Sequence, residues 1–138
     1  MTKYGLYIIK HAQIASAESV LIRGGSPERR VPIGCYSWLL RNTESGELIL
    51  VDTGVADMDV LNSTVTAGGA WQKTGSLSEF LAGKSIVPAD ISSVILTHCH
   101  YDHSSNAGLF ENAELVMNSK ETAFLNSKEN HQYPVLGG

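Results

Sequence analysis

The segment Thr97-His98-Cys99-His100-Tyr101-Asp102-His103 concentrates three imidazoles and a carboxylate within six positions, although the whole chain of 138 residues has only five histidines. Imidazole nitrogen and carboxylate oxygen are ligands for transition metals, and sites that carry out chemistry keep one position open for water. In an extended backbone alternate side chains share a face, so His98 and His100 can reach one ion. A turn after them would aim Asp102 and His103 at a second ion close by. The ligand types suit zinc, iron, cobalt or manganese alike.

The elements that must position these groups follow from the flanking pattern. Val94-Ile95-Leu96 is an apolar approach, so the motif is expected to leave the end of a strand spanning Ile91 to Leu96, with Pro88-Ala89-Asp90 as its lead-in. Pro32 to Arg41 and Glu47 to Asp52 read as a hairpin joined by Asn42-Thr43-Glu44-Ser45-Gly46. Leu48-Ile49-Leu50-Val51 is continuously apolar, which predicts a strand covered on both faces. Tyr4 to Ile9 and Ser19 to Arg23 are rich in aromatic or β-branched residues and predict two further strands. Val55 to Gly75 reads as a loop with at most a short helix. A helix capped by Ser76 or Ser78 should run through Leu77, Phe80 and Leu81 to Gly83. After the motif the expectation is a helix from Ser104 to Phe110, a strand from Glu114 to Met117 and a helix from Lys120 to Leu125. Strand, motif, helix, strand is an α/β order.

This H-x-H-x-D-H spacing resembles the signature of the metallo-β-lactamase superfamily of binuclear hydrolases. Val31-Pro32-Ile33-Gly34-Cys35-Tyr36, the strand ending Leu50-Val51-Asp52-Thr53-Gly54, Val87-Pro88-Ala89-Asp90-Ile91 and the stretch Asn106 to Val116 are similar to its N-acyl homoserine lactonase branch. The resemblance implies one domain over residues 1–138, the N-terminal half of an αβ/βα sandwich with a mixed sheet flanked by helices, the C-terminal half being absent.

It also implies two divalent metal ions, zinc first, with His98 and His100 on one and Asp102 and His103 on the other. A hydroxide bridging the ions would open a lactone or ester, with Asp102 carrying the proton to the leaving oxygen. The Asp52 carboxylate would support the motif from behind. The family's remaining ligands, a third histidine for the first ion, a bridging aspartate and a last histidine for the second, have no counterpart here. His131 lies too near His103 to replace them and reads as a surface residue; His11 reads as a loop residue. Two ligands per ion fall short of the three protein ligands usual at catalytic zinc, so the isolated chain is expected to bind metal weakly and turn over slowly.

The other residues near these segments carry plainer expectations. Cys99 should point away from its neighbours into the core, Tyr101 either lines a cleft or covers the loop, and Cys35, Tyr36 and Trp38 read as core. Ser105 stands where the family commonly has glycine. Two runner-up functions remain. One is a glyoxalase II-like thioester hydrolase. The other is a half-domain serving assembly, by self-association or with a complementing half, because a lone half would expose an apolar sheet face.

Composition sets the outer limits. With 43% hydrophobic and 17% charged residues the chain is of ordinary globular type. A net charge of −4 disfavours nucleic acid and anionic membranes as partners. Neither a secretory signal nor a membrane span is legible, so a cytoplasmic setting with free thiols at Cys35 and Cys99 is expected.

Overall fold

The computed structural model describes residues 2–64 and 69–127, and His131 lies outside them. A mixed six-stranded sheet runs in the order β4-β1-β2-β3-β5-β6. Its strands are β1 (Tyr4–Ala17), β2 (Arg30–Asn42), β3 (Leu48–Val51), β4 (Gln72–Lys73), β5 (Ile91–Leu96) and β6 (Glu114–Met117). The helices are α1 (Glu18–Leu21), α2 (Met58–Thr64), α3 (Leu77–Ala82), α4 (Tyr101–Ser104) and α5 (Ser119–Leu125), with 3-10 turns at Pro88–Asp90 and Ala107–Leu109. No helix among the described residues is long and apolar enough to cross a membrane.

β1 and β2 form a long antiparallel ribbon paired from Tyr4↔Asn42 to Ala17↔Arg30, with one irregularity between Lys10 and Ala12. β2 and β3 are the expected hairpin. Asn42 Oδ1 accepts from the Glu44 and Ser45 amides, and Gly46 supplies a positive φ of 79°. β3, β5 and β6 are parallel, so their C-terminal ends open on one side, where the histidine motif leaves β5. In open sheets of this kind that is the side on which ligands are bound.

The core has two parts. Leu39, Leu50 and Val94 lie under Leu77 and Leu81 of α3, together with Phe110 and Cys99. Ala12, Ile14 and Cys35 pack with Val55, Leu61, Trp71 and Tyr101. Ser76 caps α3 by accepting from the Glu79 amide, as its position before Leu77 implies.

The opposite face of the sheet is open and apolar. The cross-strand partners Leu6, Leu40 and Ile49 form one row there, and Ile8, Trp38, Val51, Ile95 and Val116 form a second. Leu6 is 59% and Ile8 62% exposed.

Several expectations need correction. Ser19 to Arg23 is not a strand. The Glu18 carboxylate accepts from the Arg29 guanidinium at 2.7 Å and the Ser26 amide at 3.1 Å, drawing the chain into the turn of α1 despite the β-branched Val20 and Ile22. β3 is covered on one face only, with Leu48 and Leu50 buried and Ile49 and Val51 half-buried on the open side. Tyr36 and Trp38 are likewise half-buried rather than core, while Cys35 is buried. The stretch after Val55 holds a short helix as expected, α2, started by Asp57 Oδ1 accepting from the Asp59 and Val60 amides, but also the unexpected short edge strand β4. The helix expected from Ser104 to Phe110 is not formed: α4 (Tyr101–Ser104) lies inside the motif and ends where that helix should begin, and only a 3-10 turn at Ala107–Leu109 follows.

Candidate metal centre

The backbone of the motif sorts its side chains. Cys99, Tyr101 and Ser104 are buried, anchored in the two parts of the core or bonded beneath the loop, whereas His98, His100, Asp102 and His103 stand on the accessible side. Alternation along residues 98–100 gives way to the helical turn of α4, which carries Asp102 and His103 round to the same side as His98. Tyr101 therefore covers the loop and does not line a cleft. Cys99 packs in the core, and both cysteines are free. Burial pushes the Cys35 thiol up to about 12, and also raises Cys99, so neither is a thiolate nucleophile at neutral pH.

The donor atoms form two pairs. His98 Nε2 lies 3.1 Å from His100 Nδ1, and His103 Nε2 lies 3.5 Å from Asp102 Oδ2. Two ligands at ~2.0–2.1 Å on a tetrahedral zinc are ~3.3 Å apart, so each pair has the spacing of a chelate. The rings of His98 and His103 are 4.1 Å apart, which brings the pairs side by side. Among the described residues no three His, Cys, Asp or Glu side chains form a group that could hold one ion. The donor types and the spacing within each pair suit a divalent ion, but each pair brings only two protein ligands together.

Asp52 organises this set from beneath. It is fully buried and holds a left-handed φ of 57°, a conformation that aspartate and asparagine adopt more readily than most residues. Its carboxylate accepts from the Thr97 amide at 2.8 Å, from the Thr97 hydroxyl at 2.8 Å, and from His103 Nδ1 at 2.9 Å. Burial pushes its pKa up, but the hydrogen bonds from His103 and Thr97 outweigh burial and hold it below the usual carboxylate range. Two tautomers follow from these bonds. Neutral His103 donates Nδ1–H to Asp52 and turns its Nε2 lone pair to the Asp102 side. The Thr97 hydroxyl spends its proton on Asp52, so at 3.1 Å it accepts from His98 Nδ1, which leaves the His98 Nε2 lone pair facing His100. Burial, with the neighbouring His103 and His100, lowers the His98 pKa and favours the neutral, metal-binding form.

A second layer locks the Asp52 turn to α4. The Thr53 amide donates to His103 O at 2.6 Å, and Asn106 Nδ2 donates to Thr53 O at 2.9 Å. The Ser105 hydroxyl donates to Gly54 O at 2.9 Å and accepts from the Ala56 amide at 2.8 Å, so the residue that departs from the family pattern is a clasp between the two segments. The Cys35 thiol donates to Asp102 O, and Glu121 of α5 accepts from the Cys99 amide at 3.1 Å. Thr97, Ser105, Asn106 and Glu121 have no role legible from the sequence beyond their nearness to the motif.

His11 is not a loop residue. It lies in β1 with 1% exposure, at the irregularity after Lys10, its Nε2 2.7 Å from Ser37 Oγ and its ring against Gly54. Gly54 has φ 69°, and a Cβ there would clash with that ring. Gly54→Ala is therefore expected to lower stability by about 2 kcal/mol, from strain and overpacking together, measured as a shift in denaturation midpoint.

The model of the Metallo-beta-lactamase superfamily matches residues 30–116, from the start of β2 to β6, and takes in both Asp52 and the histidine motif. The chain is 33% identical over 106 residues to Metallo-beta-lactamase domain-containing protein 1 of Xenopus laevis, covering 76% of this chain and 43% of that protein. To an N-acyl homoserine lactonase of Bacillus thuringiensis it is 28% identical over 131 residues, covering 88% of this chain and 51% of the lactonase. The crystal structure of a quorum-quenching N-acyl homoserine lactone lactonase superposes with a TM-score of 0.72 at 24% identity, over 93% of this chain and 50% of that one. The chain spans about half the length of the curated relatives it matches. The fold is thus shared with the lactonase, and a family match that runs through the Asp52 turn and the histidine motif places the chain in the Metallo-beta-lactamase superfamily.

Proposed function

We propose that this chain is the ligand-bearing half of a metal-dependent hydrolase that opens a lactone or ester, with an N-acyl homoserine lactone as the first substrate to test. The observation that carries the reading is the two close donor pairs, His98 with His100 and Asp102 with His103, in which Asp52 holds His103 directly and His98 through Thr97. His98, His100, Asp102 and His103 would hold two divalent ions, zinc first. When bound, the ions would acidify a water and polarise the ester carbonyl. The remaining work belongs to side chains. Asp52 and Thr97 fix the tautomers of His103 and His98, and the Asp102 carboxylate takes a proton and returns it to the departing alkoxide oxygen. Buried Cys99 and Tyr101 hold the loop without entering the chemistry.

The test joins the chain to a C-terminal half from a lactonase relative. Hydrolysis of an N-acyl homoserine lactone is then compared with that of a glutathione thioester, before and after chelation. Lactone turnover that is lost on chelation and falls about 100-fold or more in Asp102→Asn is expected. Preference for the thioester would move the assignment to the glyoxalase II-like reading, and no hydrolysis of either would overturn it.

A second reading rests on the open apolar face, whose rows around Leu40 and Val51 have the character of an interior. We propose that it receives another β-sheet, either from a complementing half, which would carry the further ligands that two ions need, or from a second copy, which would cover the face without supplying them. Light-scattering mass of the 138-residue chain should exceed that of a monomer at micromolar concentration; a clean monomer would count against self-association.

A further inference from the structure

His11 does nothing in the scheme above, yet the fold takes trouble to bury it. β1 and β2 slip register between Lys10 and Ala12, so His11 and Ala12 are buried in succession instead of alternating. A bulge of this kind re-aims a side chain, and bulges gather near active sites. The bulge is anchored from outside the ribbon, because the Thr74 and Gly75 amides donate to His11 O at 2.8 and 3.2 Å.

What the bulge delivers is an imidazole directly under the Asp52-Thr53-Gly54 turn. The ring occupies the space that a side chain at position 54 would need. Its Nε2 is paired with Ser37 Oγ at 2.7 Å, and its Nδ1 is a buried atom without a hydrogen-bond partner among the described residues. An unpaired buried acceptor is less costly than an unpaired donor. The ring is therefore the Nε2–H tautomer, donating to Ser37 and leaving only a lone pair unmet at Nδ1. Burial first, and the charge of His103 second, lower its pKa to about 4, so it stays neutral. Ser37 is fully buried, which rules out a serine–histidine nucleophile pair acting on substrate.

We infer that His11 is a positioning residue for the candidate metal centre: held by Ser37, its ring is the floor under Gly54 that sets the turn from which Asp52 reaches His103 and Thr97. The inference rests on the metal-site reading proposed above. It names a hydrogen bond, His11 to Ser37, whose loss is felt at a different histidine.

The test uses the 138-residue chain with 15N-labelled histidine and compares His11→Gln, whose amide N–H takes the place of Nε2–H, with His11→Asn, whose shorter side chain does not reach Ser37. In the metal-free wild type His11 should show the Nε2–H tautomer and His103 a slowly exchanging Nδ1–H. The Asn variant should speed exchange of that His103 proton, and weaken zinc binding in competition with a chromophoric chelator, each by about ten-fold. The Gln variant should stay within about two-fold of wild type. Should the Asn variant fail to fold, Ser37→Ala removes the same hydrogen bond and carries the comparison.

A wild-type His103 signal in the Asn or Ser37→Ala variant overturns the inference, as does a Gln variant that is as impaired as Asn. A purely structural role would lower the melting temperature and leave the His103 proton unmoved. Failure of lactone hydrolysis in the completed enzyme would remove the functional reading while these resonances still decide the role of His11.

Discussion

Asp52→Ala is expected to destabilise the metal-free protein by about 3–5 kcal/mol, the usual cost of removing one partner from a buried, hydrogen-bonded charge pair. The substitution strands the Thr97 amide, the Thr97 hydroxyl and His103 Nδ1, all of which donate to this carboxylate. It also places alanine at φ 57°. For a domain of this size the melting temperature should fall by about 10 °C or more. Asp52→Asn tolerates the backbone and keeps an acceptor, so it should cost less stability. The two variants are read by denaturant titration beside wild type.

The pH dependence of this pair has a defined sign. Asp52 is lowered in the folded state, so its contribution is present above the unfolded carboxylate value of ~3.9 and is lost as pH falls below it. Burial lowers the His103 pKa, but the Asp52 hydrogen bond and the Asp102 charge more than reverse this. Its raised value contributes fully below the unfolded ~6.5 and is lost as pH rises through the folded value. The Asp52–His103 pair of the metal-free chain is therefore strongest between about pH 4 and pH 6.5.

His11 works in the opposite direction over the same interval, and this is the second large effect. Its folded pKa of about 4 lies below the ordinary 6.5. Between those values the unfolded chain holds a proton that the folded one does not, so stability rises with pH. Acidification from pH 7 to pH 4 should remove about 3 kcal/mol through His11 alone, at about 1.4 kcal/mol per pH unit. His11→Gln should flatten this acid limb, as read from urea midpoints at pH 7, 5.5 and 4. A midpoint that falls equally steeply in wild type and variant would assign the acid loss to other groups.

The histidine-rich loop stands out in the sequence because His98, His100, Asp102 and His103 crowd a segment that follows an apolar strand. Asp52 is legible through its place at a strand end before Thr53 and Gly54. The means by which they meet is not legible. Thr97 joins Asp52 to His98 across 45 residues of sequence, and Ser105 clasps Gly54 across 51, and neither separation leaves a local pattern. His11 is misread because a bulge breaks the alternation on which strand reading depends. Burying two successive residues, His11 and Ala12, looks locally like the end of a strand.

The strand errors have a similar cause. Leu48 to Val51 is apolar at every position because its second face belongs to the open apolar surface of the sheet and not to helices. Around Val20 the pull of Glu18 on Arg29 and Ser26 overrides a β-branched run, and propensity has no means of anticipating that contact.

The central claim is that His98, His100, Asp102 and His103 are metal ligands held in readiness by Asp52. Zinc titration of the 15N-histidine-labelled chain, followed through the imidazole nitrogens, tests it most directly. The account predicts that His98 and His103 shift at Nε2 and His100 at Nδ1, while His103 Nδ1 stays protonated towards Asp52 and His11 does not respond. Zinc-dependent shifts confined to other histidines, or none at these three when zinc is in large excess, would contradict it.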